Sequence, residues 1–318
     1  MEYSIGVDIG GTKIAGGLVD QEGHIHHRVA ISTPKEGRDA ILQEIKRMVA
    51  DLAKRSMGPL RGIGVGTAGQ VDFVRGKVLS GTSNIADWND VPIREWLSET
   101  MNLPIFVDND VNVMVVAETQ LGVAKGYDDV VCLSLGTGVG GGVLSGGKMM
   151  RGVWGGAGEL GHISVNMEGP LCNCGMRGCL ETYASGPGIR QRYIEMWESN
   201  DANQESVFAN QSTITNEITS RDVFQKMKTG DQLSVKLVQQ MLKALSTAIV
   251  GMNHAFNPSM VVLGGGLMED GEWICDEVSY QISHIGMRSL VDPVKIRKAK
   301  FGSETTLVGA ALQCWFYE

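Results

Sequence analysis

The chain has 318 residues, 42 of them glycine, and its 28 basic against 36 acidic side chains leave a net charge of −8. That length exceeds the usual single domain, so two lobes are expected. No basic run favours nucleic acid or an anionic membrane surface as a partner, and no apolar run approaches the roughly eighteen residues of a spanning helix.

In chain order, residues 3–8 read as a buried strand ending in Asp8, and Gly10-Gly11-Thr12-Lys13 as a tight turn. Strands are expected over 14–19 and 25–31, joined by a hairpin turn at 20–23. A helix over 40–54 carries Ile41, Ile45, Met48, Val49 and Leu52 at helical spacing. A short strand at 62–66 precedes a loop region reaching Trp88, then a helix beginning near Pro92. A strand over 103–107 brings Asp108-Asn109-Asp110 to its carboxyl end, and a helix is expected over 111–121. The pattern then restarts. Strands at 130–135 and 139–144 flank Gly136-Thr137-Gly138, and a hairpin turn follows at 145–148. Beyond the cysteine cluster the chain reads as mostly helical, with a long helix over 234–256. A polar stretch at 199–220 reads as an exposed loop or helix tip. A buried strand at 260–263 enters Gly264-Gly265-Gly266, and the chain closes with a helix at 272–284, a strand at 294–299 and a helix at 305–316.

Strands alternating with helices give an α/β class with parallel segments, whose ligands bind at the carboxyl ends of strands. The glycine turns and Asp108–Asp110 all lie at such ends, so one cleft is expected. Glycine lets backbone N–H groups approach phosphate oxygens, and Thr12 and Thr137 add hydroxyl donors. A single such turn can be only a hairpin; three of them, one in each repeated half and one near the C-terminus, point to a nucleotide. Gly136-x-Gly138-x-Gly140-Gly141 leads into a strand instead of a helix, which sets NAD aside. Asp110, at a strand end before a helix, suits a general base or an N-cap; Asp108 or Asn109 can cap in its place. Asp8, beside the first turn, can order Mg²⁺-bound water or stabilise the turn.

His162, Cys172, Cys174 and Cys179 are spaced H-x9-C-x-C-x4-C within a polar, turn-rich stretch. Thiolates and an imidazole at that spacing suit tetrahedral zinc. Four protein ligands leave no position for an activated water, so the metal reads as structural, which argues against a zinc hydrolase. Glu159 and Glu181 bracket the cluster, and their carboxylates could accept hydrogen bonds from a polyol or simply be solvated. The other three cysteines lie scattered in apolar segments, which fits a reducing, cytoplasmic setting.

Asp8-x-Gly-x-Thr-Lys13, Glu159-x-Gly-His162 and Cys172-x-Cys-Gly-x-x-Gly-Cys179 resemble the three signatures of the ROK family (repressors, open reading frames and sugar kinases). The segments 107–112 and 262–266 also stand where that family has its catalytic aspartate and its adenosine side. The resemblance covers essentially the whole chain. It implies an actin-like, hexokinase-type ATPase fold of two ribonuclease-H-like lobes around a cleft, here 1–118 with the 305–318 helix packing back on it, and 119–304 with the zinc loop. It implies ATP-dependent phosphorylation of a sugar 6-hydroxyl: glucose first, N-acetylmannosamine or another hexose or N-acetylhexosamine as the alternative. Residue by residue, Gly11, Thr12, Lys13, Gly136, Thr137 and Gly138 would flank the triphosphate, and Gly264 and Gly265 the ribose and base. Asp110 would be the base, and Asn84, Asn109, Glu159, His162 and Glu181 would hold the sugar hydroxyls. ATP, Mg²⁺ and structural zinc are the implied cofactors, and a dimer or tetramer the implied assembly. Ala68, where many glucokinase-like members have proline, and the run 83–92, which lacks their Asn-Leu-Gly-Trp, depart from the pattern. Repressors of the family carry a helix-turn-helix domain ahead of the first turn; here Asp8 follows only seven residues, which favours the kinase.

Overall fold

The computed structural model describes residues 1–82, 84–199, 218–269 and 271–317. The polar stretch expected as a loop or helix tip lies largely outside them. Two compact units emerge: 1–132 with 142–158 and 299–318, and 133–141 with 159–298.

The first unit opens with β1 (Tyr3–Ile9), β2 (Lys13–Asp20) and β3 (Ile25–Ser32). β1 and β2 are buried at almost every residue, whereas β3 alternates half-buried with exposed positions, the mark of an edge strand. α1 (Arg38–Lys54) follows Gly37, whose φ of 102° turns the chain into the helix. It buries Ile41, Leu42, Ile45, Met48, Val49 and Leu52, one more residue than the spacing predicted. β4 (Leu60–Thr67), α2 (Ile93–Ser98), β7 (Ile105–Asn109) and α3 (Asp110–Gln120) come next. The sheet order is β3-β2-β1-β4-β7. β1 pairs antiparallel with β2 and parallel with β4, and β4 parallel with β7.

That register decides where the chemistry falls. Asp8 stands opposite Gly66, and Gly66 opposite Asp108; one step on, Ile9, Thr67 and Asn109 form the next row. Three strand ends therefore place Asp8 and Asp108–Asp110 on one edge of one sheet.

The region expected as a loop before Trp88 contains a hairpin, β5 (Gln70–Asp72) with β6 (Lys77–Ser80). Strands this short give too few alternations to be seen in a sequence. Trp88 is buried, and its indole N–H donates to Thr67 Oγ1 at 2.9 Å.

The second sheet runs β10-β9-β8-β11-β12, from β8 (Val130–Leu135), β9 (Val139–Ser145), β10 (Lys148–Met149), β11 (Met260–Gly264) and β12 (Lys295–Lys298). Counted along its own chain segment, each sheet has the order third-second-first-fourth-fifth. The repeat seen in the sequence is thus a repeat of topology. Around it lie α4 (Glu181–Ala184), α5 (Gly186–Glu198), α6 (Ser220–Lys228), α7 (Gln232–Phe256), α8 (Glu272–Ile282) and α9 (Arg288–Val291). α7 starts where Asp231 accepts from Ser234 N at 2.8 Å and stops at Asn257 in the left-handed conformation.

α10 (Thr305–Phe316) returns to the first unit and packs on β1, β4 and α3. The approach is close: a Cβ at Gly64 of β4 would lie 1.7 Å from the Ala310 carbonyl oxygen.

Candidate active site

In the first unit the structure gathers Asp8, Gly11, Thr12, Lys13, Asn84, Asn109 and Asp110. Gly10 N donates to Lys13 O at 3.0 Å, closing the first glycine turn, and Thr33 ties that turn down through Thr12 O and Gly10 O. Gly11 leans on Asn84, whose Cβ would be 2.7 Å from a Cβ at Gly11. Burial, joined by the charge of Asp110, pushes the Asp8 carboxyl up to about 7, with Lys13 opposing.

Asn109 settles the capping question. Its Oδ1 accepts from Val111 N at 2.8 Å and from Asn112 N at 3.4 Å, and its amide donates to Gly69 O at 2.9 Å. Asp110 therefore does not have to cap its own helix, although its Oδ1 also accepts from Val111 N at 3.0 Å. The carboxylate stands half-buried on the first turn of α3.

The second unit gathers the other group. Gly136, Thr137 and Gly138 form a turn closed by Gly136 N donating to Gly138 O at 2.9 Å. Glu181, first residue of α4, reaches this turn and accepts from Val139 N at 3.0 Å. Gly265 follows β11 with φ of 88°, and a Cβ there would lie 2.4 Å from Leu135 O. Gly264 and Gly265 are thereby held against the strand that leads into the 136–138 turn. Only glycine fits at position 265, for its dihedral and for this contact.

The metal-ligand cluster is also formed. The ligand atoms of His162, Cys172, Cys174 and Cys179 all lie within 4.8 Å of one another. His162 Nδ1 is 3.6 Å from Cys172 Sγ, and Cys174 Sγ is 3.6 Å from Cys179 Sγ. Tetrahedral zinc, with bonds of about 2.3 Å to sulfur and about 2.1 Å to nitrogen, sets its ligand atoms about 3.6–3.8 Å apart. The donor set fits that ion. Nδ1 faces the thiolates, which leaves Nε2 of His162 for another partner. Glu159 is exposed one turn before His162, and its carbonyl accepts from His162 N at 3.1 Å.

The profile of the ROK family matches residues 4–314. The chain belongs to the ROK family. It is 32% identical over 308 residues to a glucokinase of Thermotoga maritima, covering 96% of this chain and 95% of that one. It superposes on a ROK hexokinase of Thermus thermophilus with a TM-score of 0.81 at 32% identity, covering 99% and 98%. A ROK glucokinase of Streptomyces griseus, solved with glucose and AMPPNP, gives 0.78 at 32% identity, covering 97% and 98%. Xylose repressors match at 25 to 27% identity, and the chain spans 67 to 75% of their length. The fold is thus the mixed α/β, actin-like ATPase fold of the ROK sugar kinases.

The ROK signatures do not reveal every residue built into the site. Arg151 donates to the buried Asp108, a contact 43 residues apart in sequence, and to the hydroxyl of Tyr317, 166 residues away. Thr67 and Trp88 tie the end of β4 to the 84–88 loop. An arginine in a glycine-rich run and a tyrosine near the C-terminus carry no pattern from which these partnerships could be read.

Proposed function

We propose that this ROK protein transfers the γ-phosphoryl group of ATP to the 6-hydroxyl of glucose. The observation that carries the reading is the first-unit constellation: a half-buried carboxylate, Asp110, on a helix start that Asn109 caps, beside a second carboxylate and a Gly-Gly-Thr-Lys turn. A base next to a phosphate cradle is what phosphoryl transfer to an alcohol requires. Full-length similarity to glucokinases, one of them solved with glucose and AMPPNP, supports both the donor and the sugar.

In this reading the Asp110 carboxylate takes the proton of the 6-hydroxyl as the O6–Pγ bond forms. The bond between Pγ and the bridging oxygen breaks, and ADP leaves with that oxygen. The backbone N–H groups of Gly11–Lys13 and Gly136–Gly138, with the Thr12 and Thr137 hydroxyls, hold phosphate oxygens. Gly264 and Gly265 leave room at the ribose and base. Asn84, Asn109, Glu159, Nε2 of His162 and Glu181 hold the sugar hydroxyls. Mg²⁺, when bound with the nucleotide, neutralises phosphate charge; Asp8 is the side chain placed to hold its water. His162, Cys172, Cys174 and Cys179 would hold a zinc ion, which would brace the imidazole and the segments that carry Glu159 and Glu181. A reducing cytoplasm suits the six free thiols, and among the described residues no helix is long and apolar enough to cross a membrane.

The test is a coupled ADP-release assay across glucose, N-acetylmannosamine, N-acetylglucosamine, mannose, fructose and allose. Glucose is expected to give the highest kcat/KM. A preference for N-acetylmannosamine would move the assignment to an N-acetylmannosamine kinase, and no sugar-dependent ADP release at all would sink the kinase reading.

A further inference from the structure

We propose that Arg151, working with Tyr317, is a positioning residue that holds the Asp108–Asn109–Asp110 turn in the geometry proton transfer needs. The inference rests on the reading of Asp110 as the base. It adds a group that touches neither substrate nor phosphate.

The argument begins at Asp108, which is 1% exposed. Its Oδ1 accepts from Asn109 N at 2.9 Å and from the Asn112 amide at 2.8 Å. These donors lie on either side of Asp110 in the chain, so whatever fixes Asp108 fixes the turn that carries the base. Its Oδ2 is taken by the Arg151 guanidinium, which also donates to the Tyr317 hydroxyl. Arg151 thus links Asp108 and Tyr317 behind the turn that carries Asp110.

Charge neutralisation alone would ask only for a cation. This site controls orientation as well. The Arg151 guanidinium lies 3.7 Å from the Phe73 ring centroid and 4.9 Å from that of Tyr317. The two rings are themselves in contact, centroids 4.6 Å apart, and a planar cation packed against both keeps an orientation that the ammonium of lysine cannot reproduce. The arginine backbone is pinned too, because its carbonyl accepts from Gly155 N and Ala157 N, both at 3.1 Å. Burial and the Asp108 charge push the Tyr317 phenol up, so it keeps its proton at neutral pH and accepts from Arg151 as a neutral hydroxyl.

The test compares steady-state kinetics of the full-length protein and of Arg151→Met, Arg151→Lys, Arg151→Ala, Tyr317→Phe and Asp110→Asn, normalised to folded protein. Displacing a reacting group by about 1 Å can cost roughly 10²-fold. Arg151→Met is therefore expected to lower kcat about 30- to 100-fold, with KM for glucose and ATP changed less than about threefold. Arg151→Lys should recover only part of that loss, and guanidinium chloride at millimolar concentration should raise kcat of Arg151→Ala. Tyr317→Phe removes one hydroxyl and keeps the charge, so it tests the link even where an Arg151 variant fails to fold; a several-fold lower kcat is expected. Wild-type kcat per folded molecule in Tyr317→Phe and Arg151→Lys, or a loss confined to KM or to melting temperature, overturns the proposal. Asp110→Asn separates the two readings. If it turns over normally, the base assignment fails. If it is inactive while the Arg151 and Tyr317 variants retain wild-type kcat, only the positioning role fails.

Discussion

Asp8 sits where two effects oppose its ionisation, burial and the charge of Asp110, and its carboxyl is pushed up to about 7. The unfolded chain titrates the same group near the ordinary aspartate value of about 3.9. Between those values the folded protein binds more protons than the unfolded chain, so the stability Asp8 contributes is present below about pH 4 and is lost as the pH rises towards 7. Asp8→Asn is therefore expected to stabilise the nucleotide-free protein at pH 8 by on the order of 2–4 kcal/mol and to leave it nearly unchanged at pH 4. Urea unfolding at the two pH values reads this, and an equal effect at both would refute the charge argument. The same variant should lose activity if Asp8 orders the metal-bound water. At the neighbouring residue, Asp110→Asn should reduce kcat by about 10³-fold, within the range for removal of a general base, with glucose affinity changed little. Isothermal titration with glucose, set beside the turnover assay, separates the two effects. The place of both aspartates at strand ends beside glycine turns was legible in the sequence. Their mutual repulsion was not, because it follows from the β1–β4–β7 register.

At the scale of elements, most strands and helices were legible from periodicity and caps, and the misses have physical causes. The β5–β6 hairpin is too short to show alternation. The cap of α3 could have been Asp108 or Asn109, since either side chain can accept from a helix N-terminus; Asp108 instead turns inward to Arg151. The contact of α10 with β4 depends on Gly64, which has no space for a side chain. Gly64→Ala should destabilise the protein by about 3 kcal/mol through overpacking, read as a lower denaturation midpoint with the slope unchanged. The zinc loop makes its own prediction. Cys174→Ser should lose the metal, measured by mass spectrometry or a chelator dye, and raise KM for the sugar by about 10- to 100-fold, the usual cost of losing support around a metal-bound ligand. A metal-free variant with unchanged KM would show that the loop does not brace the sugar-binding carboxylates.

The whole molecule repeats one five-stranded topology, and each copy presents a glycine turn at the end of its first strand. In the proposed reaction the sugar supplies the alcohol, and without it the base has nothing to deprotonate. ATP hydrolysis in the absence of sugar is expected to run below about 1% of sugar-dependent turnover, as for kinases that exclude water by closing on substrate. Phosphate release measured with and without glucose checks this. A comparable rate in both would mean that water reaches the phosphate as readily as the sugar does. Glucose at about 100 times its Kd should also stabilise the protein by about 2.7 kcal/mol, visible as an upward shift in Tm.

The element order and the duplication were written in the sequence, which also singled out His162, Cys172, Cys174 and Cys179 as candidate metal ligands and Asp110 as the candidate base, because each depends on residue type at short or regular spacing. Backbone periodicity, glycine turns and metal-ligand spacing are local properties, and local properties are written along the chain. The tertiary structure alone decided which side chain caps α3, which glycine admits α10, and that Arg151 and Tyr317 stand behind the catalytic turn. Those outcomes depend on packing between segments far apart in the chain: Arg151 is 43 residues from Asp108 and 166 from Tyr317, and Gly64 lies against Ala310. There the choice among several suitable donors and acceptors is made by which of them burial brings within about 3 Å.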